Sequence, residues 1–238
     1  MKFSKKRKTV IVIVAVLLFV GMIYTFRPMA RIMSKKYKVW GIDVSHYQGE
    51  VDWKKIKDYD VDFVYIKATE GSSYVDERFE ENKKKLEENG FTYGVYHFFS
   101  FDSKAKDQAK HFIETIGDMK GNLTPVIDVE YYGDKIKHPP KKKNVQKQLQ
   151  SMLDILEKEY GVKPMIYSTQ SFYIKYLDGD FNDYPLWIRN VYFEPVHKWK
   201  IWQYTDKYKM DGMNGKEKYV DANVCKGDLK ELIVDEKK

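Results

Sequence analysis

Short apolar segments rich in β-branched and aromatic residues recur along the chain after residue 37, each bounded by polar or glycine-containing stretches. This length and composition are typical of β-strands. Eight such segments are present, and we predict a strand at each: Lys38–Val44, Asp62–Ala68, Thr92–Phe99, Pro125–Glu130, Pro164–Ser168, Pro185–Arg189, Trp199–Tyr204 and Tyr219–Val224.

Between the first six predicted strands, apolar residues recur at the spacing of amphipathic helices. We predict five helices: Trp53–Lys57, Asp76–Glu88, Ala105–Ile116, Lys142–Tyr160 and Phe172–Leu177. Alternating strands and helices indicate an α/β fold with a mostly parallel sheet, and eight strands favour its closure into a TIM-like barrel. An open doubly wound sheet is the alternative, but no glycine-rich phosphate loop follows the first strand.

The last third of the chain has a less regular pattern. Thr205–Lys218 is rich in Gly, Asn and Lys and has little apolar periodicity, so it predicts a loop. The last three strands are therefore expected to be joined without helices. The sequence thus favours a shortened barrel in which the final third carries strands only.

An uncharged, mostly apolar run, Thr9–Phe26, precedes this domain. Its length is at the lower end of the range that spans a bilayer, and it ends without a small-x-small cleavage site. We therefore favour an uncleaved, single-pass signal anchor over a cleaved signal peptide, which would give a secreted form. The expected organisation is a cytoplasmic basic tail at 1–8, the transmembrane anchor at 9–26, a basic linker at 27–37 and an extracellular barrel domain at 38–238.

The net charge of +7 belongs to the N-terminal segment. The first 38 residues hold ten of the 42 basic side chains and none of the 35 acidic ones, so the remaining chain has a net charge of −3. This distribution argues against a body that binds nucleic acid. The single cysteine, Cys225, excludes an internal disulfide, which fits a bacterial surface protein that is stable from its core alone.

The fourth predicted strand contains two carboxylates in an otherwise apolar run, Asp128 and Glu130. Side chains alternate along a strand, so both point the same way, with Cα atoms about 6.6 Å apart. Two like charges this close push their pKa values apart, which favours one protonated acid beside one ionised partner. Glycoside hydrolases use such a pair. For an isolated pair, capping a helix or binding a cation is the alternative.

Polar and aromatic residues occur at the ends of other predicted strands, where a parallel barrel gathers its functional groups. Asp43 lies on the first strand and Asp221 on the eighth, and closure makes these strands neighbours. Lys67 is suited to hold a carboxylate ionised or simply to offset its charge. His97 is suited to orient an acid or a sugar hydroxyl, or equally to be a buried, hydrogen-bonded histidine. The remaining candidates at strand ends are Glu70, Tyr96, Trp187, Arg189, Trp202, Gln203 and Asn223.

Other chemistries lack their sequence signals. The five histidines form neither an H-x-H nor an H-x-x-x-H pair, and one cysteine does not make a thiolate site, so we expect no metal and no cofactor. Neither Ser45 nor Ser168 lies in a G-x-S-x-G elbow, which argues against a serine hydrolase.

Several of these segments form a recognisable series. GIDVSHYQGEVDW (Gly41–Trp53), FVYIKATEGSSYVD (Phe63–Asp76) and PVIDVE (Pro125–Glu130) occur in this order, followed by PMIYS, LWIRNV, IWQY and VDANV. The series closely resembles the family 25 glycoside hydrolases, the Chalaropsis-type lysozymes, over about Val39–Val224.

The resemblance implies a (β/α)5(β)3 barrel and a muramidase that cleaves the β-1,4 bond between N-acetylmuramic acid and N-acetylglucosamine. It carries catalytic roles to Asp43, Asp128, Glu130 and Asp221, with Glu130 as the general acid and Asp128 as its ionised helper. Retention by substrate assistance and direct attack by water both stay open. The residues expected to contact sugar are Lys67, Tyr96, His97, Trp187, Trp202 and Gln203.

The partners implied are peptidoglycan glycan strands and, through the N-terminal helix, the membrane, with no nucleic acid. Two other functions are compatible with the sequence. One is a D-x-E glycosidase that acts on chitin-like polymers, and the other is a non-catalytic module that binds the cell wall.

Overall fold

One mixed β-sheet organises the part of the chain that this computed structural model describes, which is residues 12–14, 21 and 29–235. Its strands are β1 (Val39–Val44), β2 (Phe63–Glu70), β3 (Tyr74–Val75), β4 (Tyr93–Phe98), β5 (Val126–Asp128), β6 (Met165–Thr169), β7 (Leu186–Arg189), β8 (Ile201–Lys209) and β9 (Tyr219–Cys225). The helices that separate them are α1 (Trp53–Lys57), α2 (Phe79–Asn89), α3 (Ala105–Ile116), α4 (Lys142–Tyr160) and α5 (Gln170–Tyr176).

The sheet closes into an eight-stranded barrel. Around the barrel the strands follow the order β1-β9-β8-β7-β6-β5-β4-β2, and β2 pairs with β1 to complete the ring. Every neighbouring pair is parallel except those of β9, which is antiparallel to both β1 and β8. The two-residue strand β3 pairs with the end of β2 outside the ring. The prediction of a closed, mostly parallel α/β barrel is confirmed.

The structure differs from the sequence prediction mainly in the last third. β8 continues to Lys209, where a loop over Thr205–Lys218 was expected, and its extension pairs with the first residues of β9. Register shifts interrupt this pairing on both sides of Thr205. Bulges of this kind bend a strand, so the apolar alternation that identifies a strand in sequence is lost there. The segment between β3 and α2 also shortens the predicted second helix, which begins at Phe79 instead of Asp76.

Alternation along the strands divides the core into two layers. Val64, Ile66 and Ala68 of β2 pack outward against the helices, whereas Phe63 and Tyr65 fill the barrel interior. Further interior residues from other elements are Leu123, Val126, Met165, Tyr167, Trp187, Ile201, Cys225 and Leu232. The interior below the strand ends is therefore a packed core, and it supports the residues above it.

Two features fill the lower part of the barrel. The ring of Tyr65 lies where a side chain on Gly94 would stand, because a Cβ there would be 2.3 Å from its Cε1. The C-terminal segment covers the opposite end from the strand termini: Ile233 pairs with Leu123, and Thr124 donates its N–H to the carbonyl of Leu232 at 2.7 Å. The end formed by the C-termini of the parallel strands is open to a cleft.

The N-terminal part of the described chain packs on the barrel. Residues 29–34 are helical, with Ala30 and Ser34 buried. Arg31 donates to the backbone carbonyl of Lys207 at 2.7 Å, and the ring of Tyr37 meets Trp199 edge-on at 5.0 Å. Most of the segment expected to be a linker is thus docked. Among the described residues no helix is both long and apolar enough to cross a bilayer, and the predicted anchor at 9–26 lies almost entirely outside them.

Candidate active site

A cleft of about 800 Å³ occupies the open end of the barrel. All four predicted catalytic acids line it, on β1, on β9 and at the end of β5. Its walls also hold aromatic, basic and further acidic side chains. The lining residues outside the four acids are Val44, Ser45, Tyr47, Gln48, Lys67, Glu70, Tyr96, Phe98, Tyr132, Tyr167, Trp187, Asp206, Lys207, Lys216, Glu217 and Tyr219.

Asp43 and Asp221 form a pair on neighbouring strands, where they are directly opposed in the register of β1 and β9. Asp221 was expected at the C-terminal end of its strand, but it lies near the beginning of β9. Because β9 runs antiparallel, its beginning is at the same end of the barrel as the C-termini of the parallel strands. Asp221 therefore lies at the cleft because its strand is antiparallel, and not because it is at a C-terminal strand end as predicted.

Amide side chains beneath the cleft hold Asp43 in place. Its Oδ2 accepts hydrogen bonds from Gln203 Nε2 at 3.0 Å and from Asn223 Nδ2 at 2.7 Å. Each amide is itself fixed, since Tyr167 donates to Gln203 Oε1 at 3.0 Å and Trp187 donates to Asn223 Oδ1 at 2.8 Å. Asp43 thus stands on a fully bonded polar layer directly above the apolar interior.

Asp128 and Glu130 share a face, as the period of two predicts. Asp128 is the last residue of β5, and Ile127 and Val129 on either side pack outward in the helix-facing core. Asp128 is buried, and its Oδ1 has no hydrogen-bond partner among the residues that the structure describes. Glu130 is partly buried one step further up the cleft wall. An unpartnered buried oxygen that lines a cleft is available to a ligand.

The pKa of each of the four acids is raised. Burial raises the pKa of Asp43 to about 6, although the hydrogen bonds that it accepts limit the rise. Burial also raises the pKa of Glu130 to about 7, opposed by Arg189 and assisted by Asp43. For Asp128, burial and then the charge of Glu130 raise the pKa well above its usual range. Burial and then the charge of Asp43 do the same for Asp221.

Asp128 and Glu130 therefore compete for protons when no substrate is bound. The sequence-based expectation that Asp128 is ionised and Glu130 is protonated requires a difference between them that burial alone does not provide. It stays a prediction for the complex with substrate.

Two basic side chains offset part of this negative charge. Lys67 is buried in the cleft wall, where its Nζ donates to Glu70 at 2.7 Å and lies 5.0 Å from the centre of the Phe98 ring. It lowers the pKa of Asp128. Arg189, the last residue of β7, donates to Asp206 of the cleft wall at 2.8 Å and lowers the pKa of Glu130. Each acid of the D-x-E pair thus has its pKa lowered by one of these two cations.

Of the six residues predicted to contact sugar, three line the cleft: Lys67, Tyr96 and Trp187. Gln203 lies one layer below, where it supports Asp43. The other two face away from the cleft. His97 is buried against α3 and is hydrogen-bonded to Thr69 at 2.7 Å and to Gln108 at 3.0 Å.

Trp202 is likewise buried on the outer side, and its indole donates to the carbonyl of Asn190 at 2.7 Å. Neither side chain faces the cleft, and His97 matches its alternative interpretation as a buried, hydrogen-bonded histidine. The reason is strand alternation, because each is adjacent to a residue that faces inward, and two neighbours on a strand do not share a face. Burial accordingly lowers the pKa of His97 to about 3, which keeps its imidazole neutral.

Sequence reasoning missed several residues of the cleft wall. Tyr167 was within reach, because it is two residues after Met165 on β6 and alternation places it inward. Tyr132 follows the D-x-E pair but lies outside the strand, so alternation does not predict which way its side chain points. Asp206 and Lys207 lie on the extension of β8 that was predicted as a loop, and Lys216, Glu217 and Tyr219 follow on the other side of that hairpin.

Comparisons with known proteins agree with this architecture. The family model described as "Glycosyl hydrolases family 25" matches residues 42–213. The YegX protein of Escherichia coli (strain K12) is 36% identical over 221 residues, which cover 88% of this chain and 78% of YegX. The autolytic lysozyme of Clostridium acetobutylicum is 30% identical over 182 residues, which cover 74% of this chain and 53% of that protein.

Solved structures give the same result. A family 25 glycosyl hydrolase from Bacillus anthracis is 44% identical, with a TM-score of 0.77 over 82% of this chain and 92% of that one. The bacterial lysozyme from Streptomyces coelicolor is 28% identical, with a TM-score of 0.72 over 82% of this chain and 94% of that one. The family model covers more than half of the chain, and the closed barrel, the D-x-E strand and the acids of β1 and β9 agree with it, so this chain belongs to glycosyl hydrolases family 25.

Proposed function

We propose that this protein is a membrane-anchored muramidase that hydrolyses the β-1,4 bond between N-acetylmuramic acid and N-acetylglucosamine in peptidoglycan. Peptidoglycan hydrolysis is supported by the family and by relatives described as lysozymes. The observation that carries the proposal is the convergence of four carboxyl groups with raised pKa on one cleft. Binding alone does not require such a cluster, which costs free energy to maintain.

Glu130 is proposed as the general acid that protonates the leaving oxygen. A pKa of about 7 leaves a large fraction of Glu130 protonated near neutral pH, where an ordinary glutamate is ionised. Its position above the buried acids, partly exposed in the cleft wall, also gives it access to a bound glycan. General acid catalysis of this kind contributes about 10² to 10⁴-fold to the rate.

Asp128 is proposed as the group that receives the substrate's acetamido N–H. Its free Oδ1 is buried in the cleft, and a hydrogen bond from an amide stabilises the ionised carboxylate. This bond lowers the pKa of Asp128 on binding and leaves the shared proton on Glu130. An oriented acetamido oxygen then attacks the anomeric carbon, or the same carboxylate positions a water molecule for direct displacement. The configuration of the first product distinguishes retention from inversion.

The membrane part of the proposal rests on the sequence. The apolar run Thr9–Phe26 and its flanking basic residues favour a single-pass anchor with a cytoplasmic tail and an extracellular catalytic domain. Anchoring restricts the enzyme to cell wall that the domain reaches from the membrane. Vesicle flotation of the full chain tests this part separately from the chemistry.

Glu130→Gln tests the activity, with Glu231→Gln as its matched control. Glu231 is at the other end of the barrel, where it pairs with Lys200 at 2.9 Å. We expect Glu130→Gln to lose about 10² to 10⁴-fold in the release of reducing ends from purified peptidoglycan. Glu231→Gln should keep the wild-type rate.

Mass spectrometry of the products should place the new reducing end on N-acetylmuramic acid. Reducing ends released from chitin oligomers at the rate seen with peptidoglycan would favour the chitin-directed alternative. Wild-type activity in Glu130→Gln would contradict the assignment of the acid.

A further inference from the structure

One surface of the barrel combines exposed apolar side chains with basic ones, and it is formed by the segments 29–36 and 192–198. We call it the anchor-side face. Its exposed apolar residues are Met29, Ile32, Tyr192, Phe193 and Val196, and Val196 is 86% exposed. Its exposed basic residues are Arg31, Lys35, Lys36 and Lys198. Exposed apolar side chains that are grouped among polar ones mark a surface that contacts a partner or a membrane.

The two segments of this face are held together by specific contacts. Glu194 accepts from the hydroxyl of Tyr37 and forms an ion pair with Lys36 at 2.5 Å. Trp199, directly after the second segment, packs edge-on against Tyr37. Because Ala30 and Ser34 are buried on the barrel side of the helical residues, Met29 and Ile32 are fixed on the solvent side. The anchor-side face is therefore a fixed part of the barrel surface.

The few residues between the apolar run and the anchor-side face limit the distance between the two. The run ends at Phe26, and only Arg27 and Pro28 separate it from Met29, the first residue of the docked segment. Three residue steps reach at most about 11 Å, whereas an undocked linker over 27–37 would reach about 35 Å. If the run spans the bilayer as proposed, Met29 stays within about 11 Å of its surface.

We propose that the anchor-side face lies on the outer surface of the membrane and contacts anionic phospholipid headgroups. The short tether puts this face next to the bilayer. Its composition matches that surface, since apolar side chains enter the boundary between headgroups and acyl chains and Lys and Arg meet the phosphates. The inference rests on the proposed anchor, and it adds an orientation that the anchor alone does not give.

The orientation has a consequence for the substrate. Arg31 of the anchor-side face holds the carbonyl of Lys207, and Lys207 lines the cleft. The wall of the cleft formed by the β8 extension is therefore close to the lipid surface. The enzyme is set to cut glycan that lies next to the membrane, before wall further out.

Site-specific fluorescence on the full chain tests the orientation. Cys225 is buried, so a cysteine introduced at an exposed position takes a thiol-reactive fluorophore selectively. Val196→Cys reports on the anchor-side face. Lys84→Cys is the control, because Lys84 is exposed on α2, which packs beside β2 away from this face. Both variants are reconstituted in vesicles of phosphatidylglycerol or of phosphatidylcholine that carry a quencher attached to the lipid headgroup.

We expect several-fold stronger quenching at position 196 than at position 84 in phosphatidylglycerol, and weaker quenching at 196 in phosphatidylcholine. Equal quenching at the two positions would overturn the orientation, and equal quenching in the two lipids would overturn the assignment of anionic headgroups. A change at 196 that follows protein concentration without vesicles would identify a second copy as the occupant and overturn the proposal.

Flotation of the same samples tests the membrane anchor separately from the orientation of the barrel. A chain that does not float with the vesicles refutes the anchor, and the orientation falls with it. A chain that floats but shows equal quenching refutes the orientation alone. Muramidase activity measured on the same samples is independent of both outcomes.

Discussion

Asp221 lies directly opposite Asp43 across the antiparallel β1–β9 pair, and the interaction of the two carboxyl groups lowers the pKa of Asp43 and raises that of Asp221. Burial raises the pKa of both, but the donors Gln203 and Asn223 favour the ionised form of Asp43. Burial and then the charge of Asp43 raise the pKa of Asp221 well above its usual range, so Asp221 is the protonated member of the pair. The pair therefore consists of a more acidic and a less acidic carboxyl group, although both residues are aspartates.

This division of roles predicts different effects for two substitutions of Asp221. Asp221→Asn keeps a donor towards Asp43 and should retain most of the activity. Asp221→Ala removes the donor, and losing a hydrogen bond to a charged group should lower kcat/KM on the order of tenfold to a hundredfold. Steady-state assays on solubilised peptidoglycan at pH 6 measure both. Equal losses in the two variants would show that Asp221 acts through its own charge.

The pKa of Glu130 predicts the basic limb of the pH profile. Because the general acid must be protonated, kcat/KM should fall as the pH rises through about 7. Arg189 lowers the pKa of Glu130, so Arg189→Gln should move this limb to higher pH. The control is Lys175→Gln on the exposed surface of α5, which should leave the limb where it is. A limb that does not move in Arg189→Gln would assign it to another group.

Adjacent residues of β8 predict separable effects on catalysis and on stability. Gln203 donates to Asp43 at 3.0 Å, so Gln203→Met should raise the pKa of Asp43 above about 6 and move the acidic limb of kcat/KM to higher pH. Trp202→Phe removes the bond to the carbonyl of Asn190 and part of a buried ring that packs against Trp199 and Tyr204. It should lower the free energy of unfolding by about 1–3 kcal/mol and leave the pH profile unchanged.

Thermal melts and pH–rate profiles of the two variants measure these effects. A shifted profile in Trp202→Phe would contradict the outward position of its side chain. An unshifted profile in Gln203→Met would mean that Asp43 does not control the acidic limb.

Local patterns in the sequence were sufficient for the strands and for the D-x-E pair. The eight predicted strands all exist, because composition and a period of two are properties of short segments. Asp128 and Glu130 could be placed on one face by the same period, and both line the cleft. Closure of the sheet then brings Asp43 to the same end as the D-x-E pair.

Two kinds of feature could not be predicted from the sequence. They are the directions of strands and side chains, and the irregular pairing of strands. At Tyr96–His97 and at Trp202–Gln203 two good candidates are adjacent, and only the packed structure shows which of each pair faces inward. A register shift between Lys67 and Thr69 changes the alternation along β2 in the same way. The antiparallel direction of β9 and the bulged extension of β8 depend on long-range pairing, which local composition does not encode.

The raised pKa of Glu130 predicts that this catalytic acid lowers the free energy of unfolding at high pH. The pKa of Glu130 is about 7 in the folded protein and 4.5 in an ordinary environment. A raised folded-state pKa contributes stability that is fully present below 4.5 and is lost as the pH rises through about 7. At pH 8 the folded protein therefore holds an ionised, poorly solvated carboxylate, which Glu130→Gln removes.

We expect Glu130→Gln to be more stable than the wild type at pH 8, by on the order of 2 kcal/mol, and to differ little from it at pH 4. In a domain of this size that is a rise of several degrees in Tm. Thermal melts at pH 4, 6 and 8 measure the difference. Glu231→Gln is the control, because Lys200 lowers the pKa of Glu231, and removing that acid should give no gain at pH 8. A constant difference in Tm across the three pH values would show that the ionisation of Glu130 does not destabilise the fold.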